Sequence, residues 1–413
     1  MISIEKAFEL IAENVNAMQP VSTPIADAVG KVLAANVEAD VDSPPHDKSV
    51  MDGFAVRSSD IAAGSKRLEV IETVIAGGWP TEDLQPQQAT RIMTGAPIPL
   101  GADAVVMVEQ TEVETVDGKE FVNLAVDSIA PEKHVLRRGV NFSKGQIVFE
   151  KGHVVRPTDI GLLAEVGSAT ILTGATPTVS VLPTGDELVS CEQLPGRGQI
   201  RNSNGPMLLA MVQSLGLRAK DEGIGRDNED DLRSRIEQGL KSDMLILSGG
   251  VSAGTKDLVP GILESLGVQQ VFHKVLVKPG KPIWFGILDR TESGTGPVKR
   301  TYVFGLPGNP VSSLVGFHLF VRAAIRKLTG QAIDKNNSCM GRLSEAHQTR
   351  GDRPTYWPGK RVMNDSVARK FKPLVWRGSS DLFALGESEG LIFFPANSGL
   401  CPEGAEVRFH PFG

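Results

Sequence analysis

The chain has 413 residues, of which 41% are hydrophobic and 22% charged, with a net charge of -6. This length exceeds one ordinary domain, and the composition is that of a globular protein with large cores. The negative net charge and an aromatic content of only 5% argue against a nucleic-acid-binding protein, which needs a basic face and stacking rings.

Cysteine usage and hydropathy indicate the compartment. Cys191, Cys339 and Cys401 are far apart and form no Cys-x-x-Cys pair, which favours a reducing compartment without disulfides or a cysteine metal site. The first ten residues carry charges where a signal peptide needs an apolar run. No apolar run is long enough to span a bilayer. We therefore expect a cytoplasmic protein without membrane contact.

The N-terminal third is predicted to be mixed and then β-rich. An amphipathic helix is expected first, because apolar residues recur at helical spacing at Ile4, Phe8, Ile11 and Val15. Paired prolines at Pro44-Pro45 forbid regular structure, and a turn at 51–53 leads into a strand. From about Leu68 to Glu150, short strands alternate with Gly and Pro, which predicts a small all-β domain or barrel.

Strands and helices alternate from about Thr178 to Leu328, which predicts a doubly wound α/β domain. Its apolar strands end in polar segments, and ligands of such sheets bind outside the carboxyl ends of the strands. The polar segments expected at that edge are Asp186-Glu187, Asp227, 248–257, Lys278, Lys281 and 308–310.

The stretch from Asp243 to Asp257 carries the clearest signal. An apolar strand over 244–247 stops at Ser248-Gly249-Gly250, and Ser252 follows. Paired glycines bring bare backbone N–H groups close to a ligand above the sheet edge. This loop is therefore predicted to bind a phosphate.

Three lysines follow within eight residues. Lys274 and Lys278 are four apart on an expected strand and so share a face, and Lys281 follows a Pro-Gly turn. They predict an anion site, although a lone lysine cluster is more often a solvated basic face. Gly308-Asn309-Pro310 offers amides at a helix start, with an ordinary Pro/Gly helix start as the alternative.

Carboxylates at the same edge suggest a metal. Glu187, Asp227 and Asp257 are candidate Mg²⁺ ligands, because Mg²⁺ takes oxygen ligands and bridges carboxylates to phosphates. Each alone is more often a helix N-cap. Asp52 and Thr94 lie in the β-rich part, where a turn aspartate is usually structural.

Six segments together resemble one family. They are Met51–Arg57, Met93–Pro99, Thr184–Leu188, Ser248–Asp257, Lys278–Pro282 and Leu306–Ser312. In this order they are similar to the molybdopterin molybdenumtransferases, which include the bacterial MoeA proteins, the E domain of gephyrin and its plant counterpart. The segments span nearly the whole chain.

The resemblance implies a fold. It is an α/β multidomain protein of MoeA-like architecture: a doubly wound, MogA-like α/β domain, a β-rich insert domain, a mixed N-terminal linking domain and a small C-terminal β-barrel domain. The expected boundaries are 1–39 with 141–172 for the linking domain, 40–140 for the β-rich domain, 173–330 for the α/β domain and 331–413 for the C-terminal domain.

The resemblance also implies an activity. The family inserts molybdate into adenylylated molybdopterin and releases AMP, with Mg²⁺ required. Catalytic roles then fall on Asp52, Thr94, Glu187, Asp227 and Asp257, the last three also as metal ligands. Substrate binding falls on Ser248, Gly249, Gly250, Ser252, Lys274, Lys278, Lys281, Pro307, Gly308, Asn309, Pro310, Arg353 and Ser379. The implied partners are a second copy of the chain, a MogA-like molybdopterin adenylyltransferase, and downstream molybdenum enzymes or their chaperones.

The sequence departs from the family where an Arg-x-x-Gly-x-Asp pattern is usual. Leu136, Gly139 and Asn141 stand there, with Arg137 and Arg138 adjacent. Loss of charge at a site favours an alternative function, a catalytically impaired paralogue that binds or carries molybdopterin or the finished cofactor without turnover. A scaffold is less favoured, since the chain lacks a disordered linker, and an adenylyltransferase would lack the additional domains.

Overall fold

The computed structural model describes residues 1–251, 258–291, 298–333, 338–362 and 369–412. Contacts divide the chain into two compact units. Unit 1 comprises Met1–Ser22, Gly30–Ala34 and Leu172–Gly413, and unit 2 comprises Thr23–Val29 and Ala35–Ile171. The N-terminal segment and the C-terminal part of the chain therefore belong to one unit, and most of the sequence between them forms the other.

Helices occur in both units. In the described ranges the α-helices are Ile4–Asn14, Ser58–Ala62, Asp159–Glu165, Asn204–Gln213, Glu229–Gly239, Leu258–Ser265, Pro310–Gly316, Arg322–Leu328 and Leu382–Gly386. Ile25–Asp27 and Val108–Gln110 are 3₁₀ turns, and Phe317–Val321 is a π-helical segment. The expected N-terminal helix is confirmed: Ser3 Oγ accepts a hydrogen bond from Lys6 N–H, which caps its first turn.

A six-stranded sheet forms the centre of unit 1. Its strand order is Arg218–Asp221, Thr178–Pro183, Met244–Ser248, Val298–Leu306, Trp284–Thr291 and Gln269–His273. The first four strands are parallel and the last two are antiparallel to their neighbours. The parallel part matches the expected α/β domain. The strand Arg218–Asp221 ends before Gly223, and the segment from there to Asp227 is a loop.

Helices cover both faces of this sheet, because its strands alternate apolar side chains between them. On one face, strand residues such as Val181 and Ile246 pack with Ile11 of the N-terminal helix. On the other, Leu245 and Leu247 pack with the two helices that flank the glycine loop in sequence, at Leu232, Ile236, Val259 and Ile262. Both faces of the described sheet are therefore packed against helices.

Unit 2 contains an open six-stranded sheet. Its order is Ala104–Met107, Gly53–Val56, Gln88–Ile92, Arg67–Val74, Lys119–Leu124 and Thr111–Val116. The expected strands are present, but the prediction of an all-β domain or barrel needs correction. The sheet does not close, Arg67–Val74 pairs parallel with Gln88–Ile92, and the helix Ser58–Ala62 packs Ile61 into its core.

A closed five-stranded barrel follows in unit 1. Its order is Cys339–Leu343, Lys370–Pro373, Thr355–Val362, Gly390–Phe394 and Glu406–Pro411. Phe371 and Phe409 stack in its core with ring centroids 4.3 Å apart. The C-terminal β-barrel expected from the resemblance is therefore present.

The remaining strands are short. They are Val21–Pro24, Val37–Glu38, Lys48–Ser49, Val135–Leu136, Ile147–Phe149, Thr170–Thr173, Leu188–Val189, Ile200–Arg201, His347–Gln348 and Leu400–Cys401. Cys191, Cys339 and Cys401 are free thiols. Within the described ranges, every helix is too short or too polar to cross a bilayer.

Candidate functional site

Three neighbouring parallel strands of unit 1 end at one cleft, of about 370 Å³. We call it the glycine cleft. Its lining includes Thr184, Gly185, Glu187, Asp227, Gly249, Gly250, Val251, Pro282, Pro307, Gly308 and Asn309. The expectation that one sheet edge gathers the polar segments is confirmed for Glu187, Asp227, 249–250 and 307–309, which follow the carboxyl ends of parallel strands. Lys278 and Lys281 do not line this cleft.

The paired glycines leave no room for side chains. Gly249 and Gly250 have φ angles of +98° and +63°. A Cβ on Gly249 would lie 2.5 Å from Thr184 O, and one on Gly250 would lie 2.9 Å from Thr184 Oγ1. The Thr184 hydroxyl is itself buried and has no hydrogen-bond partner among the described residues. Bare backbone beside an unpaired hydroxyl suits a polar ligand atom.

Hydrogen bonds fix this loop to both neighbours. Thr184 N–H donates to Ser248 O at 2.9 Å, and Gly249 N–H donates to Leu306 O at 3.0 Å. Ser248 is buried below the cleft, where its hydroxyl accepts from Asn204 Nδ2 at 2.8 Å. The same Asn204 nitrogen donates to Gly308 O at 2.7 Å. Ser248 thus supports the cleft floor and does not line it, and Pro310 is buried at the next helix start.

Two carboxylates line the glycine cleft, those of Glu187 and Asp227. Arg226 Nη1 donates to the carbonyls of Gly185, Asp186 and Leu188, at 3.0–3.4 Å, and so joins the two loops that carry them. Asp186 and Asp227 also exchange N–H to carboxylate hydrogen bonds, of 3.1 and 3.4 Å.

These oxygens fit Mg²⁺, which usually binds one or two carboxylates plus substrate phosphates and keeps waters. Across the described ranges there is no cluster of three or more His, Cys, Asp or Glu that could hold a metal by itself. Asp257 and Ser252 lie outside the described residues, so the predicted three-carboxylate set is represented here by Glu187 and Asp227.

A second cleft of about 460 Å³ lies where the α/β sheet and the barrel meet within unit 1. We call it the cation-lined cleft. It is lined by Lys278, Pro279, Gly280, Lys281, Ser312, Arg353, Trp357, Trp376, Arg377, Gly378 and Ser379. Four cations and no carboxylate occur among these lining residues, so mutual repulsion is relieved when an anion binds.

Cross-links between sheet and barrel position these cations. Lys278 Nζ donates to Arg350 O at 3.1 Å, and Arg353 Nη1 donates to Val277 O at 3.0 Å. Ser379 O accepts from Val311 N–H at 3.0 Å. Lys278 and Arg353 are 75 residues apart in the sequence, and the barrel brings them together.

Lys274 does not follow the prediction. The strand Gln269–His273 ends before it, and Lys274 has a φ of +69°. Its carbonyl accepts from Ile2 N–H and its own N–H donates to Ile283 O. Lys274 and Lys278 therefore do not share a strand face, and of the three predicted lysines Lys278 and Lys281 line the cation-lined cleft.

Asp52 and Thr94 form a pair in unit 2. Asp52 Oδ1 accepts from Thr94 N–H at 2.6 Å and from Thr94 Oγ1 at 2.8 Å, and both residues are exposed. The backbone hydrogen bond, followed by that from the hydroxyl, lowers the pKa of Asp52. The sequence motifs around these two residues thus meet in one polar surface feature.

Segment 136–141, where the sequence differs from the family's Arg-x-x-Gly-x-Asp pattern, makes local contacts within unit 2. Arg137 pairs with Asp47 and with Glu132, and Arg138 Nε donates to Asp42 Oδ2 at 2.6 Å. Asn141 Nδ2 donates to Ser43 Oγ at 3.2 Å. These contacts hold the segment that precedes Asp52.

The sequence analysis did not predict several residues of the two clefts. Thr184 and Asn204 belong to the glycine cleft and its floor, and Trp357, Trp376 and Arg377 line the cation-lined cleft. Arg377 could have been predicted from the sequence, since it directly precedes the Gly378-Ser379 loop. The two tryptophans could not, because their distance from the lysines is set by the folding of the barrel.

Comparison with known proteins identifies the family. Residues 2–167 match the profile of the MoeA N-terminal region (domain I and II), and residues 180–327 match that of a probable molybdopterin binding domain. A molybdopterin molybdenumtransferase of Staphylococcus aureus is 35% identical over 337 residues, which are 80% of this chain and 76% of that protein. The chain belongs to the molybdopterin molybdenumtransferase family. The Staphylococcus epidermidis member is 36% identical over 340 residues, 80% of this chain and 76% of its own.

Solved structures of the family agree. The crystal structure of the molybdopterin biosynthesis MoeA protein from Pyrococcus horikoshii covers 100% of this chain and 99% of its own, at 29% identity and a TM-score of 0.83. A second Pyrococcus horikoshii MoeA structure gives 26% identity and a TM-score of 0.77, with 99% and 100% coverage. The predicted MoeA-like fold is confirmed over the full length of the chain.

Proposed function

We propose that this protein is a molybdopterin molybdenumtransferase, which inserts molybdate into adenylylated molybdopterin and releases AMP. One observation carries the proposal. Segments 278–282 and 307–312 contribute to both the glycine cleft and the cation-lined cleft. Two anion sites that are built partly from the same two segments suit a reaction between two anionic substrates, because positioning the reactants removes much of the barrier to such a reaction.

The residues of the two clefts bind different parts of the reactants. In the glycine cleft, the Gly250 backbone N–H and the Thr184 hydroxyl bind and orient the phosphate end of the nucleotide, while Gly249 lets the ligand approach because it has no side chain. In the other cleft, Lys278, Lys281 and Arg353 bind the oxyanion by charge-assisted hydrogen bonds. Glu187 and Asp227 hold Mg²⁺, which supplies charge neutralisation at the phosphate when it is bound.

We also propose a cytoplasmic homodimer in which Asp52 and Thr94 of one chain serve the substrate held by its partner. The family resemblance supports this assembly, and the exposure of both residues is consistent with it. Light scattering of the purified protein tests it: a monomer at micromolar concentration would contradict the proposal. A MogA-like adenylyltransferase would supply the nucleotide, and molybdenum enzymes or their chaperones would receive the product.

The decisive assay is AMP release from adenylylated molybdopterin with Mg²⁺, with and without molybdate. We expect molybdate to stimulate release by the unmodified protein. Asn141 donates a hydrogen bond to Ser43 Oγ, and we expect this neutral contact to make a carboxylate at that position unnecessary for turnover. Asn141→Asp is the comparison. If only that variant turned over, or if both bound the nucleotide without release, the carrier function would replace the proposed one.

A further inference from the structure

A histidine ring contacts the end of the glycine loop. His273 is the last residue of the strand Gln269–His273, which forms one edge of the six-stranded sheet. Its ring nitrogen Nε2 lies 3.1 Å from Val251 O, and Val251 is one of the residues that line the glycine cleft. A carbonyl oxygen only accepts hydrogen bonds, so Nε2 carries the proton and donates it. A side chain of the edge strand therefore reaches the cleft loop directly.

Strand geometry directs the ring towards this loop. Neighbouring side chains of a strand alternate between the two faces of a sheet. Phe272 packs on the face of the N-terminal helix, with its ring centroid 5.4 Å from that of Phe285. His273 therefore lies on the opposite face, where Val251 packs with Trp284. Trp284 is also the residue that pairs with His273 across the two antiparallel strands.

Packing fixes the side chain of Val251. It is 2% exposed and lies against the neighbouring strand at Gly305. A Cβ on Gly305 would be 2.6 Å from Val251 Cγ1 and 3.2 Å from Trp284 Cβ, so glycine leaves the room that both side chains occupy. Apolar packing is not directional. The direction of the Val251 carbonyl is therefore set by its hydrogen bond with His273.

The paired glycines explain why this anchor matters. Glycine has the widest choice of φ and ψ, so a Gly-Gly step is the most freely rotating part of a loop. Gly249 N–H is bonded to Leu306 O at 3.0 Å on one side. On the other side, Val251 O is bonded to His273. Gly250, with a φ of +63°, lies between these two anchors. Without the second anchor, Gly250 would reach other conformations, and only the competent fraction of molecules would bind a ligand at full affinity.

We propose that His273 is a positioning residue of the glycine cleft: through the Val251 carbonyl it fixes the backbone N–H of Gly250, and it does not itself touch the substrate. The inference deepens the proposed function and rests on it for the identity of the ligand, a nucleotide phosphate. The role needs one neutral donor at the place of Nε2. The amide nitrogen of glutamine reaches about as far along its side chain, so glutamine should replace histidine here, and leucine should not, because it has no donor.

Two measurements on the full-length protein test the role of His273. Calorimetric titration with AMP and Mg²⁺ gives the affinity of the cleft, and hydrogen exchange followed by mass spectrometry, without ligand, measures the opening of segment 244–251. His273→Leu should weaken AMP binding by about 2- to 12-fold, the effect of one net hydrogen bond, and should speed exchange in that segment. His273→Gln should restore most of both. A residue that acts by packing alone would not be rescued by glutamine.

Gln270→Leu is the matched control on the same strand. Gln270 Oε1 accepts from Trp284 Nε1–H at 2.9 Å, so this variant also removes one side-chain hydrogen bond from the edge strand but keeps the bond to Val251 O. AMP affinity and exchange over 244–251 should equal those of the unmodified protein. An equal loss in Gln270→Leu would mean that the edge strand acts only through its stability, and it would overturn the proposal.

The remaining outcomes are also decisive. AMP affinity or exchange that is unaltered in His273→Leu would overturn the proposal, as would a loss that glutamine does not restore. AMP release that persists in such a case would leave the proposed function standing. If AMP bound to none of these proteins, the proposed function would fail, and exchange over 244–251 would decide by itself whether His273 anchors the loop. The two failures are therefore distinguishable.

Discussion

Replacing Gly249 by alanine tests the glycine cleft most directly. An L-residue at a left-handed φ costs about 1–2 kcal/mol, and the Gly249 φ is +98°. The added Cβ would also lie 2.5 Å from Thr184 O. The backbone cannot easily retreat, because Gly249 N–H and Thr184 N–H are both bonded to neighbouring strands. Overpacking of this kind costs about 1–3 kcal/mol, which makes a total of roughly 2–5 kcal/mol.

Gly198→Ala is the matched control for this substitution. Gly198 has a φ of +78°, and no described heavy atom lies within 4 Å of the point that an added Cβ would occupy. It should lose only the conformational part, about 1–2 kcal/mol. Urea unfolding followed by tryptophan fluorescence gives both free energies of unfolding. If the two variants were equally destabilised, close contact with Thr184 would not be the reason that glycine is needed, and the account of the cleft would be wrong.

Three further predictions concern other residues. Asp52→Asn should reduce molybdate-dependent AMP release on the order of 10²-fold without loss of folding by circular dichroism; unchanged turnover would remove Asp52 from the site. Thr94→Val removes the hydroxyl that helps lower the pKa of Asp52, so an acid limb of the rate profile set by that carboxylate should move to higher pH. Burial lowers the pKa of His318 to about 3, against about 6.5 in an unfolded chain. Only the unfolded state gains this proton at pH 5, so the free energy of unfolding should fall by ~2 kcal/mol from pH 7 to pH 5. His318→Gln should reduce the fall by that amount, and an identical fall in the variant would contradict the assignment.

Much of the α/β sheet is predictable because its signals are local. Strand residues 244–248 are apolar and end at paired glycines, and Leu232 and Ile236 recur at helical spacing. Such periodicities reflect burial on one face, which each segment carries by itself. Lys274 shows the limit: spacing suggests a shared face with Lys278, but the strand ends at His273.

The open sheet of unit 2 was harder to predict than its strands. Short strands punctuated by glycine and proline indicate β structure, but they do not specify which edges pair. The parallel pairing of Arg67–Val74 with Gln88–Ile92 depends on a connection that crosses over the sheet. Closure of the C-terminal barrel, by contrast, was expected from the family resemblance and not from any spacing.

The sequence by itself determined the family, the alternation of strands and helices, and the glycine loop, since motifs and periodicity are properties of contiguous residues. Only the tertiary structure decided which groups share a cleft. Glu187 meets Asp227 through Arg226, and Lys278 meets Arg353 and the two tryptophans of the cation-lined cleft through the barrel. These contacts join residues tens of positions apart, and the packing of whole elements sets them.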